Sequence, residues 1–259
     1  MTDQPVLLTA DTGHVRLLTL NRPGARNALN TELNAALRKA LDDADADEAV
    51  HAVVVTGADP AFCAGLDLKQ AAAEGDAFFR EMEEFSCIVR IGEMTKPVIG
   101  AVNGAAFTGG LEIALGCDFL VASERAAFAD THAHVGVLPG GGLTPRLPRL
   151  VGAAHARRMS MTSEVVDAGR AERIGLVTEV VPHDDLLGRA MALAAAVAEV
   201  PPEVMRGLKR MYVESGGLAD DIATEIGIAR RFRPDYGGLE TRRARLVGRN
   251  RAQLPGRGQ

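Results

Sequence analysis

The chain of 259 residues has few aromatic side chains and no excess of positive charge. Aromatic residues make up 4% of the sequence, tryptophan is absent, and the formal net charge is −5 at pH 7. Nucleic-acid-binding proteins commonly carry a basic face or a basic stripe interleaved with aromatic residues, and neither is present. We therefore expect no nucleic-acid partner, and we expect any anionic ligand to be held by local contacts.

Cysteines and long apolar runs are also scarce. Cys63, Cys87 and Cys117 are odd in number and widely spaced, which is typical of reduced, buried thiols rather than of disulfides or a zinc site. No apolar run approaches the roughly 18 residues of a membrane span, and the start of the chain lacks the basic segment of a secretory signal. These absences predict a cytoplasmic protein with no membrane partner.

Apolar residues nevertheless account for 47% of the chain, which is enough for a substantial core. Strand-like and helix-like patterns alternate, which predicts the α/β class. The predicted strands cover residues 15–20, 52–56, 98–102, 119–122 and 177–181, and the predicted helices cover residues 31–46, 77–94 and 167–174. From Pro201 onward only helical spacing is seen. We predict a core in residues 1–200 and a helical region in residues 201–259, whose apolar face needs a partner.

The segment Lys96 to Asp118, KPVIGAVNGAAFTGGLEIALGCD, carries the strongest functional signal. It predicts a strand, a turn and a helix that opens on Gly109-Gly110 and contains Glu112. The first N–H groups of a helix have no acceptor within the helix and gather partial positive charge. Such donors can stabilise a developing oxyanion, and Glu112 is a candidate general base beside them.

Four motifs together resemble the crotonase, or enoyl-CoA hydratase/isomerase, family. In family order they are LTLNRPGARNAL at 18–29, AFCAGLDLKQ at 61–70, the strand–turn–helix segment just described, and FADTHAHVGVLPGGGLTPRLPRLVG at 128–152. The resemblance implies a crotonase (ClpP-like) spiral of repeated strand-strand-helix (ββα) units. It also implies that the C-terminal helices assemble subunits into a homotrimer, with trimers often paired as a hexamer.

The resemblance assigns roles to individual residues. The two backbone N–H donors of the family's oxyanion hole fall on Leu66 and Gly109, and Glu112 aligns with one of two glutamates that share a water in hydratases. Gly140 aligns with a glycine whose N–H holds that water. The coenzyme A part of an acyl-CoA thioester is expected at Ala25, Arg26, Ala64, Asp67 and Leu68. Arg26 or Lys69 could pair with its phosphate. No cofactor beyond this coenzyme A moiety is expected.

His132 is the main departure from the family pattern, since it stands where the second glutamate is expected. A neutral imidazole can donate or accept a proton, so a Glu112/His132 pair could hydrate or isomerise, although it cannot orient water as two carboxylates do. Asp130 and His134 are nearby in sequence and could substitute, although an extended local chain would turn the three alternate residues to one face. A metal site on these three residues is not expected, since ligands at alternate positions are an unusual geometry and the family uses no metal.

Hydration of a 2-enoyl-CoA through an enolate-type intermediate is the favoured function. Double-bond isomerisation is the runner-up because it needs one base, Glu112. A homologue that binds acyl-CoA without hydratase activity is a third alternative, since it would tolerate the loss of the second glutamate. A dinucleotide-dependent oxidoreductase is disfavoured because no G-x-G-x-x-G follows the first strand. Candidates for the acyl-tail pocket, or equally for the core, are Phe78, Phe79, Met82 and Phe85.

Overall fold

The computed structural model describes residues 4–84, 86–214, 217–232 and 238–253. Its strands are β1 (Leu7–Thr12), β2 (Val15–Leu20), β3 (Ala52–Gly57), β4 (Ala61–Cys63), β5 (Val98–Val102), β6 (Ala105–Phe107), β7 (Phe119–Ser123), β8 (Ala127–Ala129), β9 (Val166–Asp167) and β10 (Glu179–Val181). Its α-helices are α1 (Thr31–Ala46), α2 (Leu68–Glu74), α3 (Asp76–Glu84), α4 (Cys87–Gly92), α5 (Gly109–Gly116), α6 (His132–Val135), α7 (Leu143–Thr162), α8 (Ala168–Arg173), α9 (Leu186–Ala198), α10 (Pro202–Glu214), α11 (Leu218–Arg231) and α12 (Leu239–Gln253).

The described strands form two sheets. One has the order β1-β2-β3-β5-β7-β10 and is parallel apart from the β1–β2 hairpin. The other has the order β4-β6-β8-β9, with β9 antiparallel to β8. Consecutive strands from β3 to β8 therefore alternate between the sheets, and helices follow each pair. The predicted spiral of repeated ββα units is confirmed.

The core follows from the apolar patterns of the central elements. All six residues of β3 and all five of β5 are buried, as expected for parallel strands covered on both faces. In α1, Leu33, Leu37 and Leu41 lie at four-residue spacing and are fully buried. Asn30 caps this helix by accepting a hydrogen bond of 2.9 Å from the Leu33 N–H, so the predicted helix over 31–46 is confirmed.

The prediction of one helix over residues 77–94 is wrong. Two shorter helices, α3 and α4, occupy this range, and α2 precedes them. Gly75 separates α2 from α3, and the Ser86 hydroxyl caps α4 by accepting from the Val89 N–H. Phe85, which we considered for the acyl-tail pocket, lies outside the described residues. The three-residue strands β4, β6 and β8 were not predicted, because they are too short to show a period.

The C-terminal region is helical, as predicted. No strand follows β10 in the described part of the chain, and no described helix is long and apolar enough to cross a membrane. α11 packs on α7, and α12 packs on α2 and α6, so this region lies against the core as well as carrying exposed apolar residues on α10. The division at residue 200 stays a prediction.

Candidate active site

A cleft of about 750 Å³ lies between the core and the two helices α3 and α11. Glu112 and His132 line it and are almost fully buried, so they mark its inner end. The walls are mainly apolar, formed by Phe79, Met82, Ile88, Val89, Val137, Leu138, Ile226, Ala229 and Phe232. Of the predicted acyl-tail residues, Phe79 and Met82 are therefore in the cleft, whereas Phe78 is fully buried in the core.

Leu66 and Gly109 come close together beside this inner end. A Cβ atom built on Gly109 would lie 3.7 Å from the Leu66 nitrogen. The backbone of Leu29 forms hydrogen bonds to the residues on either side of Leu66. Its N–H donates to Gly65 O and its carbonyl accepts from the Asp67 N–H, both at 2.8 Å. The N–H of Leu66 therefore points away from Leu29. Within the described ranges, neither this N–H nor that of Gly109 has an acceptor.

The turn before Gly109 is held in a demanding conformation. Thr108 has φ 55° and ψ −115°, which costs a non-glycine residue about 1 to 3 kcal/mol. Its N–H donates to Ala129 O at 2.9 Å, and its hydroxyl bonds the Thr131 hydroxyl. Close packing also requires glycine at 110, where a Cβ atom would lie 2.1 Å from Cys63 O. The start of α5 is thus fixed against the end of β4.

Glu112 is buried in the first turn of α5, with 3% of the residue exposed. One carboxylate oxygen, Oε1, accepts from the Gly141 N–H at 2.8 Å, and the other, Oε2, lies 3.5 Å from His132 Nε2. Gly141 was missed by sequence reasoning, which singled out its neighbour Gly140. Gly140 also lines the cleft, and the run of three glycines at 140–142 gives no signal as to which one contacts the glutamate.

His132 lies between two carboxylates. Its Nδ1–H donates to Asp130 Oδ1 at 2.6 Å, and its backbone N–H donates to the same oxygen at 3.1 Å. Burial opposes a charge on the imidazole, but the Glu112 carboxylate and the hydrogen bond to Asp130 prevail and raise the pKa of His132 to about 10. Desolvation by burial opposes the charge of Asp130, but the hydrogen bonds from His132 and Ser160 and the charge of His132 together lower its pKa. The raised pKa favours the protonated imidazolium at neutral pH, whereas the sequence argument considered the neutral ring.

The expectation that Asp130, His132 and His134 share one face is wrong. The chain is extended only up to β8 and then turns into α6, which begins at His132. His134 bonds Ser163 Oγ at 2.8 Å and also contacts Arg249, so it is directed away from the cleft. In the portion of the chain that the structure describes, no group of three or more His, Cys, Asp or Glu side chains is placed to hold a metal ion.

The residues predicted to bind coenzyme A come from two segments that lie side by side. Ala25 ends a 3₁₀ turn, Arg26 follows it, and the Arg26 carbonyl accepts from the Ala64 N–H at 3.0 Å. Asp67 precedes α2, whose first residue is Leu68. The structure thus brings the predicted residues of both motifs onto adjacent loops.

The side chain of Asp67 is engaged within the protein. Its Oδ1 accepts from the N–H groups of Lys69 and Gln70 and so caps α2, while Oδ2 pairs with Arg22 at 3.0 Å. Arg22 was not among the predicted residues. Because this carboxylate is engaged within the protein, Asp67 would contact a ligand through its backbone rather than through its side chain. Of the two predicted phosphate partners, Lys69 is exposed and Arg26 is partly buried.

Comparisons with known sequences identify the family of the chain. The sequence model of the enoyl-CoA hydratase/isomerase family matches residues 11–227. A probable peroxisomal enoyl-CoA hydratase of Arabidopsis thaliana is 36% identical over 232 residues, which cover 88% of this chain and 86% of the relative. The 2,3-dehydroadipyl-CoA hydratase of Escherichia coli K12 is 37% identical over 223 residues, 86% of each chain.

Solved structures give the same result. The enoyl-CoA hydratase of Mycobacterium smegmatis has 50% identity and a TM-score of 0.78, covering 88% of this chain and 98% of that one. The enoyl-CoA hydratase of Mycobacterium tuberculosis H37Rv has 48% identity and a TM-score of 0.80, covering 88% and 99%. The chain belongs to the enoyl-CoA hydratase/isomerase, or crotonase, family.

Proposed function

We propose that the protein hydrates 2-enoyl-CoA thioesters to 3-hydroxyacyl-CoA thioesters. The observation that carries this proposal is the pairing of the Glu112 and His132 side chains at the inner end of the cleft, with Glu112 Oε2 3.5 Å from His132 Nε2. Addition of water across a double bond needs a base for the water and an acid for the carbon. Membership of the family supports an acyl-CoA substrate.

The first step forms the carbon–oxygen bond. The thioester oxygen accepts from the N–H groups of Leu66 and Gly109, each of which would stabilise the developing negative charge by about 3 to 4 kcal/mol. Glu112 takes a proton from the water, whose oxygen adds to C3 of the substrate. The electrons of the double bond move toward the thioester oxygen and give an enolate.

The second step forms the carbon–hydrogen bond. The His132 imidazolium gives its Nε2 proton to C2, which collapses the enolate and completes the 3-hydroxyacyl thioester. The proton now on Glu112 then returns to His132 across the short gap between the two side chains. Asp130 accepts the hydrogen bond from the Nδ1–H throughout the reaction and so keeps the ring oriented. This sequence of steps needs no cofactor beyond the coenzyme A part of the substrate, which we assign to the loops around Ala25 and Asp67.

Isomerisation is the second candidate, favoured by the fact that Glu112 faces the inner end of the cleft without a second glutamate. In that reaction Glu112 would take a proton from C2 of a 3-enoyl-CoA and return it to C4, and His132 would remain an electrostatic partner. In either reaction the acyl chain would lie against the mainly apolar walls of the cleft.

The test is to incubate purified protein with crotonyl-CoA and to follow the loss of the conjugated enoyl thioester absorbance. We expect Glu112→Gln, which keeps the size of the side chain and removes the base, to lower the rate by at least about 100-fold. No loss of absorbance with the wild type would overturn the hydratase proposal. Gain of absorbance from a 3-enoyl-CoA would then assign isomerisation.

We also propose that the protein is a homotrimer or a pair of trimers. The proposal rests on the family resemblance and on an apolar stripe along α10, where Val204, Leu208, Met211 and Tyr212 are exposed. Association of subunits would cover this stripe.

A further inference from the structure

A buried glutamate on α11 binds the start of α7. Glu225 is 6% exposed, and its carboxylate accepts three hydrogen bonds. The Gly142 N–H donates to Oε1 at 2.6 Å, and the N–H and hydroxyl of Thr144 donate to Oε2 at 2.5 and 2.6 Å. Hydrogen bonds to an ionised acceptor are about twice as strong as neutral ones, so this is a firm attachment.

The loop that Glu225 holds is the one that contacts the catalytic glutamate. Gly142 follows Gly141, whose N–H donates to Glu112 and whose carbonyl accepts from Arg146 Nη1 at 2.8 Å. The fit is tight, because a Cβ atom on Gly141 would lie 3.0 Å from the Glu112 carboxylate carbon and 2.3 Å from Ile88. A shift of Gly142 would therefore move the donor that orients Glu112.

We propose that Glu225 is a positioning residue for the proposed hydration, on which this inference rests. It clamps the loop at 140–142, so that the Gly141 N–H keeps the Glu112 carboxylate at a fixed position relative to the N–H groups of the two oxyanion donors. The C-terminal region is then part of the active site as well as a candidate for subunit contacts. α11 also supplies Ile226 and Ala229 to the wall of the cleft, so one helix both encloses the substrate and fixes the base.

The series that tests this clamp is Glu225→Gln, Glu225→Asp and Thr144→Val, with Asp221→Asn as the matched control. Asp221 lies on α11 and pairs with Arg149 of α7 at 2.7 Å, so its loss weakens contact between the same two helices at an exposed position. The readouts are kcat and KM for crotonyl-CoA, thermal stability, and amide hydrogen exchange of the segment 136–146.

We expect Glu225→Gln to lower kcat by about 100-fold with little change in KM, since misplacing a catalytic group by about 1 Å has that effect. Thr144→Val removes one of the three donors and should lower kcat by about five-fold, as expected for one hydrogen bond. Glu225→Asp should restore part of the rate, and Asp221→Asn should retain the wild-type rate.

The outcomes separate the clamp from the function. If the wild type hydrates crotonyl-CoA and Glu225→Gln is less stable but equally fast, Glu225 is merely structural and the proposal fails. If Glu225→Gln does not fold, Thr144→Val decides, and an unchanged kcat there overturns the clamp. If the wild type does not hydrate crotonyl-CoA at all, the hydratase proposal fails. The clamp would still be supported if amide hydrogen exchange at 136–146 is faster in Glu225→Gln and unchanged in Asp221→Asn.

Discussion

A histidine at position 132 changes the charge of the inner end of the cleft. Two glutamates would each carry a negative charge or share a proton, whereas an imidazolium beside Glu112 forms an ion pair whose members can act as acid and base from the start. Asp130 stabilises this arrangement, because its buried carboxylate accepts a hydrogen bond from the second N–H of the ring and offsets its charge. In the proposed hydration, the histidine would therefore take over the acid role of the missing glutamate.

The acid role of His132 predicts a specific dependence of rate on pH. The pKa of His132 is raised from 6.5 to about 10, so the ring holds its proton at neutral pH and loses it as the pH rises through about 10. We expect kcat/KM for hydration to fall on the alkaline side near that value. The measurement is the pH profile of crotonyl-CoA hydration, with protein stability checked at each pH.

Asp130→Asn is the matched variant for this prediction. It keeps the size of the side chain and removes one of the two carboxylates that raise the pKa of His132. We expect the alkaline fall of kcat/KM to move to lower pH, because a less stabilised imidazolium gives up its proton sooner. If kcat/KM falls at the same alkaline pH in the variant and in the wild type, His132 is not the acid.

At the scale of single elements, the sequence predicted long or strongly patterned segments well. α1 begins and ends where the leucine spacing and the Asn30 cap indicated, and α5 opens on the predicted glycine pair. The prediction failed over residues 77–94, where the chain forms separate short helices instead of one. Apolar spacing there reports which face is buried and does not reveal the breaks between the helices.

The junction of β4 and α5 gives a prediction at this scale. Gly110→Ala places a methyl group 2.1 Å from Cys63 O, so the two elements must separate. We expect a loss of about 3 kcal/mol or more in the free energy of unfolding, measured by urea denaturation. Gly207→Ala in α10 is the control: a Cβ atom there meets nothing within 4 Å, and alanine in a helix is favoured over glycine by up to about 1 kcal/mol. Equal stability of the two variants would contradict the tight junction.

At the scale of the whole molecule, the site is assembled from segments far apart in sequence. The motifs identified Leu66, Gly109, Glu112, His132 and Gly140, and the structure brings the first four together with the loop that carries the fifth. The partners of these residues were not predictable. The bond of Gly141 to Glu112, the bond of Asp130 to His132 and the clamp by Glu225 each depend on side-chain distances that only the packed chain defines.

Subunit association is the last property that belongs to this scale. On α10, Val204, Leu208, Met211 and Tyr212 have 56%, 46%, 69% and 78% of their surface exposed, and their spacing puts them on one face of the helix. An exposed apolar stripe of this kind is typical of a protein–protein interface. We therefore expect the wild type to have the mass of a trimer or a hexamer by light scattering coupled to gel filtration.

Charge on the stripe should prevent this assembly. Leu208→Glu combined with Met211→Glu would bury two unpaired carboxylates in the interface, so we expect the doubly substituted chain to be monomeric. Glu214→Gln is the control on the same helix, because it removes an exposed partner of Arg210 and leaves the stripe unchanged. A monomeric wild type, or an unchanged mass in the double variant, would show that α10 is not the contact. Because α11 follows α10 directly in the chain, activity of the monomer would show whether the Glu225 clamp holds without neighbouring subunits.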